Sequence, residues 1–243
     1  MENLLLPDMK IDTTFRAQNT EIMDDFSLKG EELREALDKI AGINKVLGGN
    51  KLTLKAVKKL IGNRNGTITI LDIGCGNGDM LRMLSGYGTK HNLDFRLTGV
   101  DANQFTIHYA EKLSQGYKNI SYKCINIFSE EFTTLDYDIA LCTLTLHHFS
   151  DEEILKLLKL VYRKAAIGVV VNDLHRSKAA YNMFKAICFL FGLNRMSKED
   201  GLVSILKGFK KDELRAFSQK LGLRNFSVNW RWAFRYEWII YKT

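Results

Sequence analysis

Three glycines on alternate positions, Gly74, Gly76 and Gly78, fall within LDIGCGNGD at residues 71–79, directly after the apolar, β-branched run GTITILDI. A buried strand stops there and a helix begins. Glycines at that junction permit a tight turn whose backbone N–H groups can approach a ligand. Two carboxylates sharpen the chemistry. Asp72 stands two residues before the first glycine, where it can reach the cationic end of a ligand. Asp101 closes the next apolar run in LTGVD, where a carboxylate can accept both hydroxyls of a ribose. The spacing G-x-G-x-G followed by Asp79 departs from the dinucleotide pattern G-x-G-x-x-G, whose third glycine packs the helix. An acid for a cation and an acid for a ribose suit a nucleoside that carries an amino acid.

These residues need a sheet to hold them. From residue 67 the chain alternates strand-like and helix-like patterns, the signature of a parallel sheet covered on both faces. Strands are expected at TITILDI, DFRLTGVD, ISYKCI, YDIALCT and AAIGVVVND, with helices at about 78–87, 103–114 and 151–162. The aromatic runs NFSVNWRW and FRYEWIIYKT are separated by a very short connection and so form an antiparallel hairpin. Before the sheet, residues 11–62 carry apolar residues at helical spacing, which predicts an N-terminal helical cap over 1–64 ahead of a sheet domain over 65–243. Between the fifth strand and the next amphipathic helix lie residues 174–209, with AAYNMFKAICFLFGL as an apolar helix. An insertion after a strand's carboxyl end lands over the edge where open α/β sheets bind ligands, so a lid is expected there. The fold class is a Rossmann-like, doubly wound, seven-stranded sheet, mostly parallel.

Composition narrows the class further. The 243 residues, 46% hydrophobic, can bury a full core as one α/β domain with an attached subdomain. No apolar run reaches the ~18 residues of a membrane span, and MENLLLPDMK lacks the basic start and long apolar middle of a secretion signal, so a cytoplasmic protein is expected. Cys75, Cys124, Cys142 and Cys188 are widely spaced, and three of them fall in or beside expected core strands, which speaks for reduced thiols and against zinc or disulfides. The net charge of +7 sits on the flanks: residues 39–64 hold seven Lys/Arg and no acid, and 174–235 hold thirteen against four. Dispersed surface lysine accounts for such flanks; nucleic acid, a membrane surface or an acidic carrier is the other reading.

Four stretches, ILDIGCGNGD, LTGVDAN, YKCINIF and YDIALCTLTLHHFSDEE, occur in the order and spacing of the motifs of class I S-adenosylmethionine-dependent methyltransferases, and the chain resembles that family over residues 65–173. The terminal hairpin is similar to the family's reversed last strand. The resemblance implies S-adenosylmethionine as cofactor. It places the methionine part on Asp72 and the turn of Gly74, Cys75, Gly76 and Gly78, the ribose on Asp101, and the adenine near Ala102, Asn126 and Ile127, with Thr143 also at the cofactor. Asn126 stands where the family usually has an aspartate; its carboxamide oxygen can still accept from the adenine amino group. The Asn/Asp-Pro-Pro-aromatic run of base and glutamine-nitrogen methylases is absent, since the only proline is Pro7. LTLHHFSDEE resembles the branch that methylates small molecules such as quinone and aromatic precursors, and other stretches are loosely similar to bacterial methyltransferases found beside type III polyketide synthases.

A phenolic, quinone-precursor or polyketide-like acceptor would have an unperturbed pKa near ~10 and would need its proton removed, work suited to a histidine. Of five histidines, three stand at carboxyl ends of expected strands: His147, His148 and His175. Neighbours in an extended segment point opposite ways, so only one of His147 and His148 should face the acceptor. His147 is expected as the base, with His175 as the alternative. His148 is expected near the acceptor or packed at the turn before SDEEILKLL, which Ser150 or Asp151 would cap. Asn172 and Asp173 would orient the acceptor or the base, or simply close the strand. No metal is expected. A small-molecule acceptor is expected, with an apolar or lipid-like one among the candidates, and the protein is expected to be a monomer or homodimer. RNA or lipid methylation, and a binding module that keeps the fold without catalysis, remain the competing functions.

Overall fold

A computed structural model describes residues 11–242; MENLLLPDMK, with Pro7 and the first residues of the expected cap, lies outside them. Strands β1 (Ile68–Ile73), β2 (Phe95–Asp101), β3 (Ile120–Cys124), β4 (Ile139–Thr143), β5 (Gly168–Leu174), β6 (Phe226–Arg231) and β7 (Arg235–Tyr241) form one sheet in the order β3-β2-β1-β4-β5-β7-β6. The first five are parallel, while β7 runs antiparallel between β5 and β6. Every strand read from the sequence is present, and the aromatic hairpin closes the sheet as expected.

Helices α1 (Glu31–Val46) and α2 (Gly49–Ile61) precede the sheet, and α3 (Asp79–His91), α4 (Gln104–Leu113) and α5 (Asp151–Lys164) connect parallel strands. The long connection from β5 to β6 carries α6 (Lys178–Leu190), α7 (Arg195–Lys207) and α8 (Lys211–Lys220). Alternate residues of each strand feed opposite layers. Ile68, Ile70, Leu141, Val170 and Ile239 pack on α2 and α3 through Val57, Leu60, Leu81 and Leu84. Leu71, Ile73, Cys142, Val171 and Trp238 face α5 and α8 through Leu157, Leu158, Leu214 and Phe217. Strands buried on both faces read as continuous apolar runs, which is why they were visible in the sequence. As expected, α5 starts on Ser150, whose hydroxyl accepts from the Glu153 N–H while the Glu153 carboxylate accepts from the Ser150 N–H.

Two expectations change. Because α2 lies in the sheet's own core, the boundary expected at residues 64/65 cuts through a packed layer. Above the strand ends stand α1 and α7, which share a small apolar cluster of Leu33, Ala36, Leu37 and Met196. Cys124 is the second: it ends β3, the edge strand, and is exposed, whereas Cys75, Cys142 and Cys188 are buried; all four are free thiols.

Asn172 was expected to orient the acceptor or the base, or to close the strand. It is fully buried in β5, and its Nδ2 donates to the Gly49 carbonyl (3.0 Å) and to Thr53 Oγ1 (2.9 Å), which pins the start of α2 to the sheet. Asn172→Ala should therefore cost roughly 1–3 kcal/mol, because it removes two buried hydrogen bonds that tie α2 to the sheet. Urea unfolding would show a lower midpoint at an unchanged slope, and an unchanged midpoint would count against the tie.

Candidate active site

One cavity of about 630 Å³ opens above the carboxyl ends of β1, β4 and β5, a size typical of small-molecule sites. The glycine turn forms its floor. Gly74, Gly76 and Gly78 have φ of +69°, +51° and +77°, a region that side chains with a Cβ avoid. A Cβ on Gly74 would come 2.6 Å from the Thr145 side chain, and one on Gly78 would run into the Tyr122 hydroxyl. Gly78 is thus the residue that lets α3 pack, and it does not line the cavity, while Gly74, Cys75 and Gly76 do.

Asp72 and Asp101 both line the cavity. Asp72 is buried and its Oδ1 has no hydrogen-bond partner. Burial, reinforced by the charges of Asp79 and Asp101, pushes its carboxyl well above the usual range. A cationic ligand group beside Asp72 would reverse that shift. Asp101 accepts from the Gly76 N–H (3.3 Å) and the Asn103 N–H (3.0 Å), which leaves lone pairs on both oxygens for ligand hydroxyls. Ala102, Asn126, Ile127 and Thr143 complete this half of the wall. Asn126 Oδ1 already accepts from the Phe128 N–H (2.9 Å), so its second lone pair is the one left for a ligand.

The histidines depart from the sequence reading in geometry. Residues Leu146–His148 form a 3-10 turn rather than an extended segment, so both rings lie on one side, 4.3 Å apart and 31° from parallel. Both line the cavity. The Nδ1–H of His147 donates to Asp173 Oδ1 at 2.6 Å, and Asp173 Oδ2 accepts from the Leu146 and His147 N–H groups at 2.9 and 3.3 Å. Asp173 thus stands outside the cavity and orients a residue inside it. Burial opposes ionisation of Asp173, but the charge and hydrogen bond of the His147 ring and the Leu174 N–H (2.7 Å) prevail and hold its carboxyl below the ordinary value. His175 does not line the cavity, which corrects its expected place in the cleft. Its Nδ1 accepts from Trp230 Nε1–H (3.2 Å) and its ring stacks on Phe234, so the hairpin draws it aside.

Several site residues escaped the sequence reading. Glu21 and Asp24, from a 3-10 turn in the polar start of the chain, lie over the histidines: His148 Nδ1–H donates to Asp24 Oδ1 at 2.7 Å, and Glu21 Oε1 lies 3.8 Å from His147 Nε2. Lys207 of α7 places its Nζ 3.1 Å from Glu21 Oε1 and 3.4 Å from Asp24 Oδ2. Glu21, His147 and His148 are metal-ligand types within 4.8 Å of one another, and the Lys207 ammonium already supplies a cation to that cluster. Arg16 ties the segment down, donating to the carbonyls of His147 (3.1 Å), Phe149 (2.8 Å) and Lys207 (2.9 Å). Arg235 and Asn44 also line the cavity. The one available signal was Arg235 and Glu237, two charges at i and i+2 on one face of an otherwise apolar strand, where each needs a partner.

The His148 pair makes folding pH-dependent. Burial lowers the affinity of His148 for a proton, but the Asp24 hydrogen bond and the charges of Glu21 and Asp24 outweigh it and raise its pKa above the usual ~6.5. A raised folded-state pKa stabilises fully below about pH 6.5, and the contribution is lost as pH rises through the folded value. Thermal melts of wild type and His148→Gln should therefore differ more at pH 6 than at pH 9. An equal gap at both pH values would remove His148 from this role.

Residues 70–168 match the family described as a methyltransferase domain. No curated protein sequence matches the chain. Among solved structures, the plantazolicin methyltransferase BpumL in complex with SAH superposes with a TM-score of 0.63 at 17% identity, over 87% of this chain and 96% of that one. A SAM-dependent methyltransferase from Aquifex aeolicus gives 0.61 at 17% identity, over 87% and 98%. Magnesium protoporphyrin IX methyltransferase (ChlM) from Synechocystis PCC 6803 with bound SAM gives 0.54 at 15% identity, over 84% of each. At these identities the likeness is one of fold. Its strand order and glycine turn give this chain the Rossmann-like, seven-stranded fold of these methyltransferase structures, and within it residues 70–168 match the methyltransferase-domain family.

Proposed function

We propose that the chain methylates an oxygen of a small, largely apolar acceptor from S-adenosylmethionine, with His147 as general base. The observation that carries this reading is that His147, oriented through Nδ1 by Asp173, lines the same cavity as the glycine turn, Asp72 and Asp101. The residues present fit the cofactor. The orphaned Asp72 Oδ1 offers a partner for the methionyl ammonium, Asp101 offers lone pairs to the ribose, and a side chain at residue 74 would fill the cradle. When bound, the cofactor supplies an electrophilic methyl group on a sulfonium.

The chain's own residues hold the acceptor and take its proton. Met183, Phe184 and Ile187 of α6, with Leu37 and Ile40 of α1, give the cavity an apolar wall that favours an aromatic or lipid-like body and excludes water. With Nδ1–H committed to Asp173, Nε2 of His147 is the ring's basic atom. It would take the hydroxyl proton of the acceptor, leaving the acceptor oxygen nucleophilic toward the methyl group that the cofactor would supply. Asp173 then stabilises the imidazolium. Most acceleration in such an in-line displacement comes from holding the two partners at attack distance in a dry site.

Calorimetric titration of wild type and Asp101→Ala with S-adenosylmethionine, and separately with NADH, tests the cofactor. Binding of the first alone, weakened about tenfold or more by the substitution, is expected. Failure of both to bind would leave the fold without the activity. His147→Gln should bind the cofactor unchanged and lower kcat about 10²- to 10⁴-fold on a phenol that wild type turns over, and full turnover would show that His147 is not the base.

A further inference from the structure

Among the described residues three lysine or arginine side chains are buried: Arg176, Lys207 and Arg235. Two have acids. Arg176 pairs with Glu213, its Nη1 lying 3.1 Å from Oε2, and Lys207 pairs with Glu21 and Asp24. Arg235 has none. Its Nη2 donates to the Asn44 side-chain oxygen at 2.5 Å, while Nε and Nη1, both buried, have no partner. The contrast extends along the same strand. Glu237 shares a face with Arg235 and is fully buried, yet it meets Arg231 at 2.7 Å and Lys59 at 3.5 Å.

An unpaired buried guanidinium is costly, and it keeps its proton in proteins. Burial lowers its pKa to about 10, against the fields of Asp173 and Asp79, so it remains a cation at neutral pH. Its surroundings turn it toward a ligand. Arg235 lines the cavity beside Asn44, Leu47, Leu174 and Phe234, and its guanidinium carbon would be 3.0 Å from a Cβ on Gly49, so glycine there leaves it room. A guanidinium with free donors fits a planar oxyanion through two parallel N–H bonds.

We propose that Arg235 receives a carboxylate carried by a ligand of this cavity, with Asn44 holding the guanidinium in place. The inference rests on the methyltransferase reading for the identity of the ligands. Two of them could bring the group: the acceptor, which would then be an aromatic or aliphatic carboxylic acid, or the methionyl end of the cofactor. The sheet bears on the choice. From Asp72 on β1 to Arg235 on β7 is three strand steps, about 14 Å at ~4.8 Å each, whereas the cofactor's ammonium and carboxylate sit on a single carbon. That spacing is between backbones, however, and the guanidinium reaches back to Gly49 and feels the charge of Asp79, so the binding test separates the two sources.

The test uses wild type, Arg235→Met and Arg235→Lys. Because the guanidinium has no acid to lose, Arg235→Met should melt no lower than wild type in the absence of ligand. Should it fail to fold, Arg235→Lys keeps the charge without the fork and carries the comparison. Binding is measured with S-adenosylmethionine and its decarboxylated analogue, and with 4-hydroxybenzoate and dodecanoate beside their methyl esters. If the acceptor brings the group, a free acid binds wild type at least tenfold tighter than the variant, its ester binds both alike, and cofactor affinity is unchanged. If the cofactor brings it, S-adenosylmethionine loses tenfold or more in the variant and the decarboxylated analogue loses nothing. Equal binding of every carboxylate to wild type and variant would overturn the proposal. Wild type that binds no S-adenosylmethionine but still discriminates acid from ester through Arg235 would sink the methyltransferase reading and leave the anchor standing.

Discussion

Asp173 closes β5 with a buried carboxylate that accepts from two successive backbone N–H groups of the neighbouring turn and from the His147 ring. No other single side chain decides so much of the site. The bonds to Leu146 and His147 bend the chain after β4 into a 3-10 turn, and that turn sets both imidazoles side by side. The adjacent histidine then becomes available to Asp24, and through it the polar N-terminal segment is drawn across the strand ends. A carboxylate without these donors would be expelled from such a position by its desolvation cost.

Acids gather around this point. Asp72, Asp79 and Asp101 lie close enough to raise the proton affinity of Asp72, while Glu21 and Asp24 sit across the histidines. The floor of the cavity is therefore poised for positive charge, and its far wall holds the unpaired cation of Arg235. A ligand with separated charges of both signs would relieve the two ends together. An apolar body would meet the helices in between.

The sheet was legible because strands buried on both faces must be apolar throughout, and the glycine turn was legible because glycine takes left-handed backbone angles without strain and leaves room for Thr145 and Tyr122. The hairpin showed itself by its short connection. What stayed hidden depends on partners distant in sequence. Nothing local in TEIMDDFS announces that Glu21 and Asp24 will meet His147, His148 and Lys207, more than a hundred residues further on. The histidine pair was misread for a different reason: an extended segment was assumed where Asp173 imposes a turn. His175 follows its strand as expected, but Trp230 and Phe234 of the hairpin take up its ring. The helical pattern of α2 was visible, whereas its burial against Val170 and Ile239 was not, since an amphipathic helix reads alike over a sheet or over a cleft.

The placement of β7 has a consequence for how the molecule is made. It lies inside the sheet between β5 and β6, yet it follows both in the chain. Until residues 235–241 have been synthesised, β5 presents a bare row of backbone donors and acceptors along Gly168–Leu174, in a strand of valines with strong β-propensity. During translation the nascent protein thus carries an adhesive edge that its own late segment must cover, and the race between that closure and pairing with a neighbouring chain sets its yield of native protein.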